Sequence, residues 1–242
     1  TTYSLGTCQD YMWCLGLSLM VLFIVRILTG MFLVTTPMTG IGPILTAMLL
    51  TSWGQISPGV HAIGSSAVMF VMLLHVLRAL FHLSCTVLAP TYSLGVLVLT
   101  LAIAACFLGY STTYGAMAHW ALRVVQGLMR CLPFVDMWFY GNYIVTYRML
   151  SKCLVFHFLV VIITLAVMAM HILQLHTSGS SNGSSLEVVR PYTSARIDLY
   201  FHVIVKDLIL AAVLWVLFGS LLQALQLVLH TDNNLSLIHI SE

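Results

Sequence analysis

The strongest constraint on this chain is a doubled spacing of histidine inside apolar sequence. His61 and His75 are 14 residues apart, and so are His157 and His171, each pair in a long stretch with almost no charge. On an α-helix 14 residues come close to four turns, so both histidines of a pair share a face. They stand roughly 21 Å apart along the axis. That rise covers most of the roughly 30 Å hydrocarbon core of a bilayer. A lone histidine on an apolar helix is ordinarily a hydrogen-bonded core residue. Two pairs with one period, in two separate stretches, are not explained that way. Ionisable groups inside a span are costly and are retained for function. Two such helices side by side offer one histidine pair in each leaflet, which is what two flat metal macrocycles stacked across a membrane need. Haem iron takes axial histidine. His61, His75, His157 and His171 are therefore read as metal ligands, and the cofactor as two b-type haems.

Composition supports a membrane setting. Of 242 residues, 60% are hydrophobic and 7% charged, against about 25% charged in soluble domains. The fold expected is an all-α, polytopic transmembrane helix bundle. A net charge of +2 is too small to suggest a nucleic-acid partner. The cysteines (Cys8, Cys14, Cys85, Cys106, Cys131, Cys153) form no CxxC and read as small apolar residues or unpaired thiols. The start lacks a basic leader, so the first span is expected to serve as the insertion signal.

Five spans are expected. The first covers about Tyr11 to Val34 and holds one charge, Arg26. The second covers about Val60 to Leu83, the third Tyr92 to Tyr110, the fourth Cys153 to Leu175, and the fifth runs from near Leu199 to His230. Between the third and fourth, His119 to Leu132 sets Arg123 and Arg130 beside an apolar stripe of Trp120, Val124, Leu128 and Cys131. That is the pattern of a helix lying in the interface with membrane lipids. Trp138, Tyr140, Tyr143 and Tyr147 read as an aromatic belt. Thr177 to Ser185 reads as a flexible turn. The domain division expected is a di-haem four-helix core over 1–176, a loop over 177–198, a fifth helix over 199–230 and a tail over 231–242.

The glycines repeat the histidine period. Gly16 and Gly30 are 14 apart in the first span, and Gly95 and Gly109 are 14 apart in the third. A missing side chain lets a bulky group come close to the backbone. Small residues also serve ordinary helix packing in membranes. Matched to the histidines, they read as flat niches for two porphyrin faces.

At this point the pattern resembles a family, the mitochondrial cytochromes b of respiratory complex III. The likeness covers about Leu15 to Leu229. It rests on the histidine and glycine pairs, on "HAIGSSAVMFVMLLHVLRAL", on the run from Gly95 through Gly109-Tyr110, Gly115, Trp120 and Pro133, on "FHFLVVIITLAVMAMHILQLHTSGSSN", and on "KDLIL" at Lys206-Asp207. The resemblance implies the cytochrome b subunit of ubiquinol:cytochrome c oxidoreductase. That subunit passes electrons across the mitochondrial inner membrane between a quinol-oxidising and a quinone-reducing site. It works with the Rieske iron–sulfur protein, cytochrome c1 and other subunits of a dimeric complex. His61 and His157 would hold the low-potential haem, with Gly30 and Gly109 against it. His75 and His171 would hold the high-potential haem, with Gly16 and Gly95, and with Arg78 near a propionate. His176, Ser180, Lys206 and Asp207 would line the site for ubiquinone, His176, Lys206 and Asp207 in proton-transfer roles. Gly115, Met117, Trp120 and Ala121 would fall near the ubiquinol-oxidising site.

The chain also departs from the family. Thr113-Tyr114 replaces the usual Pro-Trp, and Pro58 replaces an arginine just before the first histidine. Arg26 is expected to take over that arginine's pairing with a propionate, since it lies four residues before Gly30 on the same face. The Pro-Glu-Trp-Tyr motif and the last three family helices are not in this sequence. Leu235 to Glu242 reads as a translated sequencing adapter, so the genuine part is expected to end near Asn234; the competing reading is a natural split gene whose second piece supplies the missing helices as another chain. Arg123 to Lys152 holds four basic residues and one acid, which by the positive-inside rule favours the opposite orientation from the family's. The ungapped motif match outweighs this, because a cationic interfacial helix binds anionic headgroups on either side. Two other readings stay open. One is a di-haem quinone-reducing anchor of another dehydrogenase, which lacks the glycine pairs. The other is a transporter or receptor without haem.

Overall fold

Backbone groups have no water to bond inside a bilayer, so a spanning segment closes its hydrogen bonds within itself as a helix. In a computed structural model, which describes residues 4–5, 11–35, 53–112, 116–140, 146–181, 188–189, 197–198 and 204–229, the apolar stretches do this. A 3-10 turn, Tyr11–Cys14, leads into α1, Leu15–Thr35. Helix α2 is Trp53–Phe81, followed by one turn of α3, Ser84–Val87, and by α4, Ala89–Ser111. The amphipathic α5 is Ala116–Met129, α6 is Pro133–Phe139, α7 is Tyr147–Ser178 and α8 is Val205–Leu229. Pro90 and Pro133 stand in the first turns of α4 and α6, where a missing N–H leaves no bond unmade.

Among the described residues, four segments are long and apolar enough to cross a membrane: Tyr11–Val34, Val60–Phe81, Ala89–Ser111 and Arg148–Ser178. The 25 residues of α8 add a fifth rod of about 38 Å. The chain is an all-α, multi-pass membrane bundle. Hydroxyls buried in the spans bond back to their own helix, as Ser18 Oγ does to the Cys14 carbonyl at 2.9 Å and Thr164 Oγ1 to Val160 at 2.7 Å.

The stretch expected as a flexible turn after α7 has more structure than its composition suggests. The helix continues through Ser178, and Gly179 takes φ 89°, a left-handed geometry suited to glycine. Then β1, Ser180–Ser181, pairs antiparallel with β2, Val188–Val189. A second short ladder joins Ser4–Leu5 to Ile197–Asp198. The tail over 231–242 lies outside the described residues, as do Thr113, Tyr114, Gly115 and Tyr143.

Two compact units make up the chain. The first holds Thr1–Gly95 and His171–Ala224, with α1 packed along α2; the second holds Val96–Met170 and Leu225–Glu242. In the second unit the buried face of α5 sets Leu122 against Tyr140, Met149 and Cys153. Its opposite face leaves Met117, Trp120 and Val124 exposed on one stripe. Tyr140 therefore does not belong to the aromatic belt the sequence suggested. It is 4% exposed, and its hydroxyl donates to the Leu122 carbonyl at 3.2 Å. Trp138 stays outside, 58% exposed, with the Lys152 ammonium over its ring. Burial, with Cys153 and Asp136 nearby, pushes the Tyr140 phenol up to about 12.

Tyr140→Phe should cost about 1 kcal/mol, since it leaves one buried carbonyl short of a partner. The pH dependence has a definite sign. From the ordinary phenol value of 10.0 up to about 12, the unfolded chain holds fewer protons than the native one, so stability falls as pH rises. The Phe variant should lack that decline, which denaturation midpoints of the detergent-solubilised protein across this window would reveal.

Candidate haem site

Each of the four histidines lies against a glycine on a neighbouring helix. In the first unit, a Cβ built on Gly30 would lie 2.8 Å from His61 Cε1, and one on Gly16 would lie 3.5 Å from His75 Cε1. Still in that unit, a Cβ on Gly95 would lie 3.2 Å from His171 Cε1. In the second unit, a Cβ on Gly109 would lie 2.8 Å from His157 Cε1 and 3.0 Å from its Nδ1. At each of these glycines the edge of the facing imidazole comes close to the bare backbone.

Those partners follow one rule. His157 donates from Nδ1 to the Ala105 carbonyl at 2.7 Å, and His171 donates from Nδ1 to the Thr91 carbonyl at 2.8 Å. Ala105 and Thr91 each stand four residues before the glycine that faces the histidine. On α1 the same carbonyl, Arg26, is capped by Thr29 Oγ1 at 3.0 Å, and that hydroxyl lies 3.2 Å from His61 Nδ1. That hydroxyl is thus within hydrogen-bond reach of both the carbonyl and the ring. At His157 and His171 the carbonyl can only accept, which fixes the proton on Nδ1 and puts the ring's lone pair on Nε2. A metal-bound histidine ordinarily donates its other ring N–H to a carbonyl or carboxylate in this way. His75 differs: its Nδ1 is buried without a hydrogen-bond partner among the described residues. Thr29 and the two carbonyls were missed from the sequence. Thr29, a polar residue inside a span and next to a paired glycine, was the available signal.

The arrangement suits a cofactor that brings its own equatorial ligands. Among the described residues no three His, Cys, Asp or Glu side chains gather as a site for a bare metal ion. Two imidazoles with fixed tautomers are what an axially ligated haem requires.

Arg26 is 7% exposed and turned into the α1–α2 pair, not toward lipid. It donates from Nη1 to the Val60 carbonyl and from Nη2 to Ser65 Oγ, both at 2.6 Å. A Cβ on Gly64 would lie 2.7 Å from Nη1, so that glycine also makes room. The guanidinium thus reaches the level of Gly64 and Ser65, while Pro58 lies on the other side of His61 along α2. The reason is helix geometry: Arg26 precedes Gly30 by one turn on α1, and α2 runs the other way.

Arg78, one turn beyond His75, has its guanidinium 5.4 Å from the Trp13 ring centre, and His82 packs on the same indole at 4.8 Å. The four residues assigned to quinone are spread over several elements. His176 is exposed in the last turn of α7, and Ser180 lies in β1 opposite Val189. Lys206 and Asp207 open α8 and diverge. Lys206 is exposed, 6.0 Å from the Tyr11 ring centre, while Asp207 is 3% exposed and bonded to the Cys14 thiol. The segment from Tyr11 to Ser18 lies against two of these elements: Trp13 Nε1 donates to the Ser181 carbonyl at 3.1 Å, and Ser18 Oγ, whose shorter bond goes to the Cys14 carbonyl, lies 3.4 Å from the Asp207 carbonyl. Trp13, Cys14 and Ser18 carried no motif of their own.

Comparison with known proteins agrees with this geometry. The family model described as cytochrome b/b6/petB matches residues 1–179. Cytochrome b of Vanderwaltozyma polyspora is 31% identical over 219 residues, covering 87% of this chain and 55% of that protein. Cytochrome b of Candida glabrata is 30% identical over 219 residues (87% and 56%), and that of Kluyveromyces lactis 31% over 211 residues (83% and 53%). The chain spans about half the length of the curated relatives it matches. With a family model over most of its length and four histidine–glycine contacts in its spans, the chain belongs to the cytochrome b family.

Proposed function

We propose that this chain is the haem-bearing part of the cytochrome b subunit of a mitochondrial ubiquinol:cytochrome c oxidoreductase. It would carry electrons across the inner membrane between quinol-oxidising and quinone-reducing sites. Its partners would be the Rieske iron–sulfur protein and cytochrome c1 in a dimeric complex. The observation that carries the reading is the set of four histidines, each against a glycine, three of them with Nδ1 committed to a hydrogen bond. His75 and His171 would hold one haem b and His61 and His157 the other. A bound haem supplies one-electron oxidation and reduction. The chain's own residues do the rest. The Ala105 and Thr91 carbonyls hold the imidazoles of His157 and His171 in the ligating tautomer, Thr29 bonds the ring of His61, and the glycines let the rings approach. Redox difference spectra of the isolated complex test this: two b-type haems per chain are expected, and a chain without haem would refute it. The histidine–glycine contacts disfavour the dehydrogenase anchor and the haem-free transporter.

For the quinone-reducing site, Asp207 is the group best suited to supply protons, with Lys206, His176 and Ser180 as further members and Arg78 near the haem of His75 and His171. A carboxyl shielded from water and held by a thiol can act as general acid, work that typically contributes 10²–10⁴-fold. Asp207→Asn should slow reoxidation of the high-potential haem by quinone on the order of 10²-fold. An unaltered rate in stopped-flow traces would remove Asp207 from this role.

A further inference from the structure

We propose that Arg26 sets the reduction potential of the haem held by His61, acting as a fixed buried cation on the inner side of that histidine. The inference rests on the reading that His61 is a haem ligand. Arg26 is tied to His61 twice. Its carbonyl accepts from the Thr29 hydroxyl, which lies 3.2 Å from His61 Nδ1. Its guanidinium is fixed to the same stretch of α2 by Val60 and Ser65, and Ser65 Oγ in turn lies 3.2 Å from the His61 carbonyl.

The position along α2 makes the effect selective. Gly64, which the guanidinium covers, is three residues from His61 and eleven from His75. Those separations are roughly 5 Å and roughly 16 Å of helix rise. A guanidinium stays charged at every accessible pH. Reduction adds one electron to a site, so a nearby cation favours the reduced form, and the attraction weakens with distance. The haem on His61 should feel Arg26 far more than the haem on His75. The charge thus narrows the gap in potential between the two sites instead of shifting both together.

Potentiometric titration of the b haems in the native membrane complex is the test, read together with haem content. In Arg26→Gln the reduction equilibrium of the haem on His61 should fall about tenfold, equivalent to about 59 mV for one electron. The other midpoint should stay in place, and Arg26→Lys should restore most of the shift. Loss of haem in Arg26→Gln with an unshifted, haem-replete Arg26→Lys would also support a role for the charge. Two unshifted midpoints in Arg26→Gln overturn the proposal, as do equal shifts in Arg26→Gln and Arg26→Lys, or haem loss in both. These last outcomes would mean that shape, not charge, matters. Fewer than two b haems in the unaltered protein would instead refute the ligand assignment beneath it.

Discussion

His75→Ala and His171→Ala should each leave the chain with one b-type haem in place of two. The two histidines of α2 are 14 residues apart, roughly 21 Å along the helix, so removing one does not disturb the surroundings of the other. His61 keeps its contact with Gly30 and its bond to Thr29, and His157 keeps Gly109 and the Ala105 carbonyl. A haem left with a single axial imidazole loses half of its protein ligation. The buried partner of His171, the Thr91 carbonyl, loses its ring donor as well. His75 is the more permissive position, because its Nδ1 has no partner among the described residues to leave behind. The pyridine haemochrome assay gives the haem count, and low-temperature difference spectra show which of two bands has gone. Two haems retained in both variants would end the assignment of His75 and His171.

Much of this site could be read because a period survives folding. A spacing of 14 puts residues on one face of any straight helix, whatever its neighbours do, so histidines and glycines declared their faces in the sequence. Their hydrogen-bond partners did not. The Ala105 and Thr91 carbonyls are backbone atoms, and no residue letter encodes which carbonyl a neighbouring ring will find. Arg26 shows the same limit. Its sequence distance from Gly30 gave the right face of α1, but its destination beside Gly64 and Ser65 depends on how α2 is set against it. Tyr140 looked like a headgroup anchor because its neighbours are aromatic. Its burial follows from the way α6 ends beneath α5, where the Leu122 carbonyl accepts its hydroxyl. The Ser/Gly/Asn stretch after α7 read as a flexible turn, since two-residue ladders such as β1–β2 leave almost no pattern.

Adding one methyl group at each of the four glycines should produce a graded loss of haem, largest at Gly109 and Gly30. Alanine is the better helix former by about 1 kcal/mol, so backbone propensity alone would make all four changes favourable. The geometry of the facing ring decides otherwise. At Gly109 the new Cβ would lie 2.8 Å from His157 Cε1 and 3.0 Å from Nδ1, and at Gly30 it would lie 2.8 Å from His61 Cε1. Carbon atoms prefer about 3.5–4.0 Å, so each ring must swing away by several tenths of an ångström. The imidazole can rotate, but rotation pulls Nδ1 from the Ala105 carbonyl or from Thr29 Oγ1. The lone pair on Nε2 would then turn away from the direction in which it could hold a haem. Gly95→Ala, with 3.2 Å to His171 Cε1, should weaken its site without emptying it. Gly16→Ala, at 3.5 Å from His75 Cε1, makes an ordinary contact and should retain both haems. Valine at Gly30 or Gly109 should abolish that haem, because its branched Cβ leaves the ring no position near the helix. Haem content and the two midpoints across the alanine series check the order. Equal losses at all four positions, or a loss at Gly16 exceeding that at Gly109, would mean that the glycines serve helix packing and not the placement of the histidines.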